Sequence, residues 1–407
     1  MTLKEIDVKT FENYAKNNPY RTFMQTKQIG KLREINGWKT YYLGLYDNNK
    51  LVGASLLVSK KRHFNKYEFY APRGPLLDYN NEKVLTSFLS KLIEFVKKHN
   101  GYILRIDPYV PYKQKDGKGN IVEDGYDNTN IVNNILNLKF IKIPYEKREQ
   151  VSTMYVLDTK NKTTEEIFNN MNSSTKNKIN KTLKSCIEIK EITEDKLDEF
   201  YNIMKETGER KGFDIRDNNY YKRMYELFKD SNGIKYLIAV INLKDLLTKL
   251  NQEKETLLKK QETIENNKKN QGKIKALTEN IESINKRIEL AIKEEKEHGE
   301  NITLAGSMFI LTGKEVIYLA GGNHEEFLHY NSQYLIQWEM IKYAIENGYD
   351  RYNFYGIPNK LDENSKDYGV YKFKTGFNGY IEELIGEFEI KTSPIYYLIK
   401  LIHKIRH

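Results

Sequence analysis

Runs of apolar residues with different spacing divide the chain into short predicted elements. Residues 41–47 and 51–60 have the pattern of two strands joined by a short polar turn, and residues 66–74 continue it with a third strand. Residues 84–101 have helical spacing, and residues 102–108 form a further strand that a proline ends. These segments predict the order β-β-β-α-β.

The same order returns in the second half of the chain. Residues 235–241, 303–313 and 315–322 have strand patterns, residues 331–348 have helical spacing, and residues 349–358 form a last strand. The repetition indicates a duplicated α/β unit.

The first and second strands of the second copy are separated by a long polar insertion, residues 243–298. Apolar residues recur there at alternating steps of three and four: Ile274, Leu277, Ile281, Ile284, Ile288 and Ala291. On the preceding limb they recur every seven residues: Leu243, Leu250, Leu257 and Ile264. Such spacing forms the seam of a coiled coil, so the insertion is predicted to be an antiparallel helical hairpin that projects as an arm.

The fold class that follows is α/β (α+β) with two related domains. We expect a first domain at residues 1–150 and a second domain at residues 151–242 and 299–407. The arm, residues 243–298, interrupts the second domain.

Composition narrows the function classes. One cysteine among 407 residues excludes a disulfide framework and a CxxC zinc site. The N-terminus lacks a signal peptide's apolar core and no apolar run approaches a membrane span, so a cytoplasmic protein is expected. A net charge of +10 fits an anionic partner such as nucleic acid, and it fits equally an Asn- and Lys-rich composition.

Familiar catalytic signatures are missing. The chain has no GxxxxGK[ST], HExxH or GxSxG motif, and it lacks the glycine-rich loop that cradles acetyl-CoA. Cys186 has no histidine near it in the sequence. We therefore expect no metal site and no acetyl-CoA chemistry.

Four segments carry unusual combinations of charged and aromatic residues. They are residues 70–79, with an arginine between two prolines; 102–108, with an aspartate before the final proline; 210–221, rich in arginine and tyrosine; and 368–380, basic and aromatic. The last is predicted as a strand or turn, with Lys372 and Lys374 on the same face.

Together these segments resemble the FemABX family of peptidoglycan bridge aminoacyltransferases. The resemblance rests on FYAPRGPLLDY, RIDPY, MNSSTKNKINKTLKS, the strand from Gly313 to Gly322, and VYKFKTGFNG. It covers nearly the whole chain. It implies two domains like GCN5-type acyltransferases, with a helical arm in the second.

The resemblance also implies a reaction and its partners. An amino acid would pass from aminoacyl-tRNA to an amine of the peptidoglycan stem peptide or growing bridge. The acceptor would be lipid II or the UDP-linked MurNAc-peptide, with the tRNA as donor and no cofactor. Two further partners stay open at this point: the inner membrane face, and a second copy of the chain or a related paralogue.

Roles for single residues follow from the same resemblance. Lys374, with Lys372 as its rival, would stabilise the oxyanion or the departing ribose oxygen, and Asp107 would accept a proton or orient the peptide. The expected substrate contacts are Lys31 and Arg216 for the diphosphate, together with Arg73, Tyr102, Tyr220 and Tyr318.

Two lysine groups are candidates for tRNA contact. One lies on the basic helix, at Lys176, Lys178 and Lys181, and the other near the arm's turn, at Lys268, Lys269 and Lys273. The arm lysines fit an ordinary solvated surface as well. Residues 394–407 form a basic amphipathic helix, which we expect to pack on the first domain in preference to lying on a membrane.

Two other readings of the chain remain open. One is a transferase that uses aminoacyl-tRNA on an acceptor outside peptidoglycan, such as a lipid or a protein terminus. The other is a non-catalytic, basic, RNA-binding coiled-coil protein.

Overall fold

The computed structural model describes residues 1–358 and 368–406, with side chains as far as residue 402. Within these residues the chain forms two sheets of eight strands each, flanked by helices. The strands are β1 (Thr2–Glu5), β2 (Lys39–Asp47), β3 (Lys50–Lys61), β4 (Tyr67–Ala71), β5 (Leu76–Leu77), β6 (Gly101–Ile106), β7 (Pro111–Gln114), β8 (Ile141–Lys142), β9 (Thr153–Asp158), β10 (Ile187–Ile192), β11 (Ile234–Asn242), β12 (Asn301–Thr312), β13 (Glu315–Asn323), β14 (Arg351–Gly356), β15 (Tyr380–Leu384) and β16 (Phe388–Lys391).

Helices cover both sheets and build the arm. They are α1 (Val8–Lys16), α2 (Lys27–Ile35), α3 (Glu82–Lys98), α4 (Thr129–Asn137), α5 (Thr164–Asn170), α6 (Ser173–Leu183), α7 (Leu197–Lys211), α8 (Asn218–Phe228), α9 (Leu243–Glu262), α10 (Gln271–His298), α11 (Ser332–Glu346), α12 (Tyr368–Thr375) and α13 (Ile395–Arg406). None of the described helices combines the length and apolar composition that a bilayer-spanning segment needs.

The duplicated unit predicted from the apolar pattern is present in both sheets. Strands β2, β3 and β4 pair in antiparallel order, and β6 returns parallel to β4 after helix α3. Strands β11, β12 and β13 repeat that pairing, and β14 returns parallel to β13 after α11. The expected order is therefore confirmed.

The two copies differ at the end of their parallel strand pair. In the first copy, pairing of β4 with β6 extends to Ala71 and Ile106. In the second, pairing of β13 with β14 stops at Ile317 and Asn353. The Asn353 side-chain oxygen accepts the N–H of Tyr355 at 2.7 Å, which turns the chain within β14. The two strands diverge beyond this point and leave a gap.

The sheets exchange segments across the expected domain boundary. Strand β16, near the C-terminus, pairs with β6 and β8 of the first sheet. Strand β7, from the N-terminal half, pairs with β15 of the second sheet. The division at residue 150 remains a prediction. These pairings show that each sheet includes one strand from the other side of that division.

An apolar core joins the two sheets. It combines Leu56 and Val58 of β3 with Tyr236 of β11 and Met308 of β12, all buried. Because one core serves both sheets, residues from either half have fixed positions relative to the other.

The helical hairpin is confirmed as α9 and α10. Leu246 and Leu250 of α9 are buried against Ile284 and Ala291 of α10. Farther along the arm, the Gln261 amide donates to the Thr278 hydroxyl at 2.8 Å. The arm joins β11 to β12, as the insertion point predicted.

Candidate active site

A cavity of about 870 Å³ lies where β13 and β14 diverge. Its walls come from residues 318–323 of β13, residues 355–358 at the end of β14, and parts of α7 and α12. Gly321 allows the strand to pass close to Tyr318, since a Cβ there would collide with the Tyr318 hydroxyl. An opening between parallel strands is a common place for a ligand in a sheet.

Lys374 reaches this cavity from α12. Its Nζ donates to the carbonyl oxygen of Gly356 at 2.6 Å and lies 5.8 Å from the centre of the Tyr318 ring. The side chain is only 6% exposed. Burial lowers the pKa of the Lys374 ammonium to about 7. At neutral pH this amine therefore exchanges readily between its charged and neutral forms.

The strand predicted for this segment is wrong. Residues 368–375 form helix α12, in which residues two apart point in directions about 200° apart. Lys372 is therefore exposed, with its Nζ 5.0 Å from the centre of the Tyr368 ring, while Lys374 is buried. The two lysines are separated by one residue, which is the spacing of side chains on one face of a strand. The apolar residues Val370, Phe373 and Phe377 have the spacing of a helix, and this is the pattern that the structure follows.

Arg73 and Asp107 form a buried pair at the end of the first copy's parallel strands. The N–H of Arg73 donates to Asp107 Oδ1 at 2.7 Å, and Arg73 Nη1 lies 3.4 Å from Oδ2. Burial raises the pKa of Asp107 to about 6, against the lowering effect of Arg73. Burial, the largest effect, lowers the pKa of Arg73, but Asp107 together with Tyr355, Tyr70 and Tyr109 outweighs it and raises the pKa overall.

This pair lies behind the cavity wall and does not line it. Arg73 Nη2 donates to the carbonyl oxygen of Val151, and Val151 is a wall residue. Tyr355, another wall residue, acts electrostatically on Arg73. Of the two expected catalytic residues, the fold thus places Lys374 in the cavity and Asp107 one layer behind it.

Tyr318 is the one expected substrate-contacting tyrosine that lines the cavity. Tyr102 is instead buried beneath the C-terminal helix, beside Ile103 and Ile399. Tyr220 is half-buried on α8, where burial raises its pKa and nearby groups include Arg216 and Tyr355.

The two expected phosphate contacts lie on the surface. Lys31, on α2, is exposed and pairs with Glu34 at 3.4 Å. Arg216 is exposed just before α8, 5.5 Å from the centre of the Tyr220 ring. Helix α2, which carries Lys31, packs against helix α8, which follows Arg216.

Lys178 links helix α6 to the cavity wall. Its Nζ donates to the hydroxyl of Tyr334, a wall residue, at 2.9 Å. Lys176 donates to the carbonyl oxygen of Asn169 at 2.9 Å, and Lys181 is exposed. The arm lysines Lys268, Lys269 and Lys273 are exposed at the turn between α9 and α10.

Sequence reasoning missed three residues here. Arg210 lines the cavity, and its Nε is buried without a hydrogen-bond partner in the part of the chain that the structure describes. Tyr355 faces both Tyr220 and Arg73. Glu387 is buried near Asp107, and burial raises its pKa to about 7. The arginine- and tyrosine-rich pattern of residues 210–221 pointed at Arg210, but nothing in the sequence pairs Glu387 with Asp107.

The cavity is electrically positive. Arg210, Lys211 and Lys374 line it, and no carboxylate of the described residues does. Such walls suit a ligand that is anionic or that develops negative charge during reaction.

The remaining candidate chemistry lies at the base of the arm. Glu297, His298 and Glu326 have ligand atoms close enough together to hold a metal ion, but all three are exposed and none lines the cavity. Cys186 packs against the apolar cluster there, beside Leu243 and Ile302. Its surroundings are those of a structural residue.

Comparisons with known proteins agree with this architecture. A sequence profile of the FemAB family matches residues 6–404. Aminoacyltransferase FemA of Staphylococcus aureus strain N315 is 32% identical over an alignment 420 positions long, which covers 100% of this chain and 99% of the relative. The FemA of strain bovine RF122 / ET3-1 has the same identity and coverage.

Solved structures extend the likeness to the fold. The crystal structure of FemX has a TM-score of 0.78 and 26% identity, covering 98% of this chain and 100% of that chain. A tandem GNAT protein from the clavulanic acid biosynthesis pathway has a TM-score of 0.50 at 7% identity, covering 97% and 99%. The second likeness concerns the fold alone and confirms its GNAT-like character. This chain is a transferase that belongs to the FemAB family.

Proposed function

We propose that this protein moves an amino acid from aminoacyl-tRNA to an amine of the peptidoglycan stem peptide or of a growing interpeptide bridge. The observation that carries the proposal is Lys374, a buried amine whose Nζ lies at the diverged end of β13 and β14 and whose pKa is about 7. The FemA relatives, which are named aminoacyltransferases, support the class of reaction.

The proposed reaction is an exchange of an ester for an amide. The acceptor amine attacks the ester carbonyl of the aminoacyl group, a C–N bond forms and the ester C–O bond breaks. The amine loses a proton and the ribose oxygen gains one. Because the ester is already activated, the protein must chiefly position both substrates and stabilise the tetrahedral oxyanion.

The position and the pKa of Lys374 suit it to stabilising the tetrahedral oxyanion. As an ammonium it stabilises the oxyanion, and with a pKa near neutrality it can pass a proton to the departing ribose oxygen. Among the described residues its Nζ donates to the Gly356 carbonyl, and an ammonium has three N–H donors in all. The proposed reaction uses no cofactor, since the charged tRNA is the donor substrate.

The donor enters, in this proposal, from the side of α6. Arg210 and Lys211 on the cavity wall and Lys178 beside it supply positive charge for the phosphates of the tRNA 3′ end. The exposed Lys181 of α6 adds further positive charge on this side.

The acceptor approaches, in this proposal, along the joint between α2 and α8. Arg216 and Lys31 are exposed there and suit a diphosphate, whether it is lipid-linked or UDP-linked. Tyr220 is near both Arg216 and Tyr355, and Tyr355 lines the cavity. In this proposal a peptide held by its diphosphate at Arg216 extends past these tyrosines toward Lys374.

The test is transfer of label from a mixed pool of radiolabelled aminoacyl-tRNA. Lipid II and the UDP-linked MurNAc-peptide serve as acceptors, and the same acceptors with acetylated amines serve as controls. We expect label on at least one native acceptor and none on the acetylated forms.

Label that stays on the tRNA with both acceptors contradicts the proposal. If label then moves to a lipid or a protein N-terminus, the acceptor lies outside peptidoglycan. If the protein binds tRNA and transfers nothing to any acceptor, it is an RNA-binding protein.

A further inference from the structure

The C-terminal helix α13 has two apolar sides, and the protein covers one of them. Ile395, Tyr396 and Ile399 pack against Tyr102 and Ile103 of β6. This contact confirms the expected packing of the helix on the first half of the chain. It also shows that β6 accounts for only part of the helix's apolar surface.

The other side of α13 is apolar and open. Tyr397 is 63% exposed, Leu398 is 47% exposed and Leu401 is 54% exposed. These three residues lie at positions i, i+1 and i+4 and therefore share one side of the helix. Large exposed apolar side chains grouped in this way mark a contact surface.

The sequence of this C-terminal segment is basic. From residue 391 to the end, the sequence has Lys391, Lys400, Lys404 and Arg406 and no aspartate or glutamate. Lys391 Nζ lies 4.8 Å from the centre of the Tyr397 ring, so a cation borders the exposed apolar residues directly.

We propose that α13 docks this open side on an anionic lipid surface, with the helix axis parallel to the bilayer plane. The exposed tyrosine and leucines would enter the boundary between headgroups and acyl chains, and the lysines would meet the lipid phosphates. Three side chains offer far less than the about 800 Å² per partner that stable protein interfaces bury. A bilayer, which takes small apolar patches together with charge, is therefore the better occupant than a second copy of the chain.

The proposal concerns binding alone and does not depend on the transfer reaction. It adds a membrane contact to a chain in which no described helix can span the bilayer. A lipid-linked acceptor would then be met at the surface where it resides.

Co-sedimentation with vesicles tests the proposal. The wild-type chain is mixed with phosphatidylcholine vesicles and with vesicles that also contain phosphatidylglycerol. We expect binding to the anionic vesicles, and the variant Tyr397→Ser/Leu398→Ser/Leu401→Ser should bind about tenfold more weakly. The matched control is Leu258→Ser/Leu290→Ser/Ile292→Ser, which removes three exposed apolar residues from the arm and should bind as the wild type does.

A charge variant separates the two parts of the interaction. Lys391→Glu/Lys400→Glu keeps the apolar residues and should lose the preference for anionic vesicles. Equal binding of wild type to both vesicle types, or undiminished binding by the triple serine variant, would overturn the proposal. A wild-type dimer in solution that the serine variant abolishes would identify a second copy as the occupant, and this too would overturn it.

Discussion

Lys374→Met is expected to lower the rate of aminoacyl transfer by about a hundred- to a thousandfold, the usual cost of losing one group that stabilises an oxyanion. The expected cause is loss of the one buried cation that the described residues place on the cavity wall, beside Gly356 of β14 and Tyr318 of β13. Methionine keeps the length and the apolar stem of lysine, so the cavity should retain its shape. Single-turnover transfer with saturating charged tRNA measures the effect.

Lys372→Met is the matched control. Lys372 belongs to the same helix but is exposed, so this variant should transfer at close to the wild-type rate. Equal losses in the two variants would assign the effect to the charge of α12 as a whole and contradict a special role for Lys374.

The stability of Lys374→Met should move in the opposite direction from its activity. The folded state lowers the pKa of Lys374 from 10.5 to about 7, so between these values the unfolded chain binds more protons and wild-type stability rises with pH. At pH 7 the methionine variant avoids this cost and should be more stable by about 1–3 kcal/mol. The difference should shrink as the pH approaches 10.5. Urea unfolding at several pH values would show whether an inactive variant is also well folded.

The pH dependence of transfer should follow the same group. The ammonium form of Lys374 is the one that stabilises an oxyanion, whereas the acceptor amine attacks only in its neutral form, which becomes more abundant as the pH rises. The ratio of wild-type kcat/KM to that of Lys374→Met should therefore fall as the pH rises above about 7, since the titration of the acceptor is common to both. A ratio that stays constant up to pH 9 would contradict the proposed role of the ammonium.

Asp107→Leu is expected to destabilise the protein by about 3–5 kcal/mol, because it leaves the buried guanidinium of Arg73 without its charge partner. Both side chains are almost fully buried, at 3% and 1% exposure. The remaining polar contact of the guanidinium, with the Val151 carbonyl, does not neutralise its charge. The change in the free energy of unfolding, from urea titration, is the measurement.

Two further variants show whether the loss of stability comes from breaking the Arg73–Asp107 ion pair or from removing any carboxylate. Arg73→Met/Asp107→Leu removes both charges and should recover much of the lost stability. Glu149→Ala removes the partner of Arg105, two residues before Asp107, but these side chains are 34% and 57% exposed. Its cost should stay below about 1 kcal/mol. A double variant as unstable as Asp107→Leu would show that the pair has no energetic coupling.

The sequence predicted best those elements that depend on the spacing of apolar residues close together in the chain. The seam of the arm repeats over many turns, and Leu250 and Ile284 lie in it as expected. The duplicated unit was visible because each strand is a separate apolar run with its own turn. Family resemblance then led to Lys374 and Tyr318, which the fold does bring together in one cavity.

Features that depend on contacts distant in sequence could not be predicted in this way. The cavity opens where β14 leaves β13, at a point where Tyr355 has a positive φ and Asn353 accepts its N–H, and no apolar pattern encodes this. Tyr102 lies at the start of β6 and was expected to contact substrate. Helix α13, almost three hundred positions later in the sequence, covers it. The face of Lys372 was misjudged because two lysines separated by one residue fit a strand as well as a helix.

The central claim is that the cavity between β13 and β14 receives the aminoacyl end of the tRNA. Its most direct test is photo-crosslinking with charged tRNA that carries an azido group on the 3′-terminal adenosine, followed by mass spectrometry of the labelled peptides. The account predicts label on residues 318–323, 355–358 or 368–374, and competition by unmodified charged tRNA should remove it. Label confined to the first sheet or the arm, with these three segments unmodified, would contradict the account.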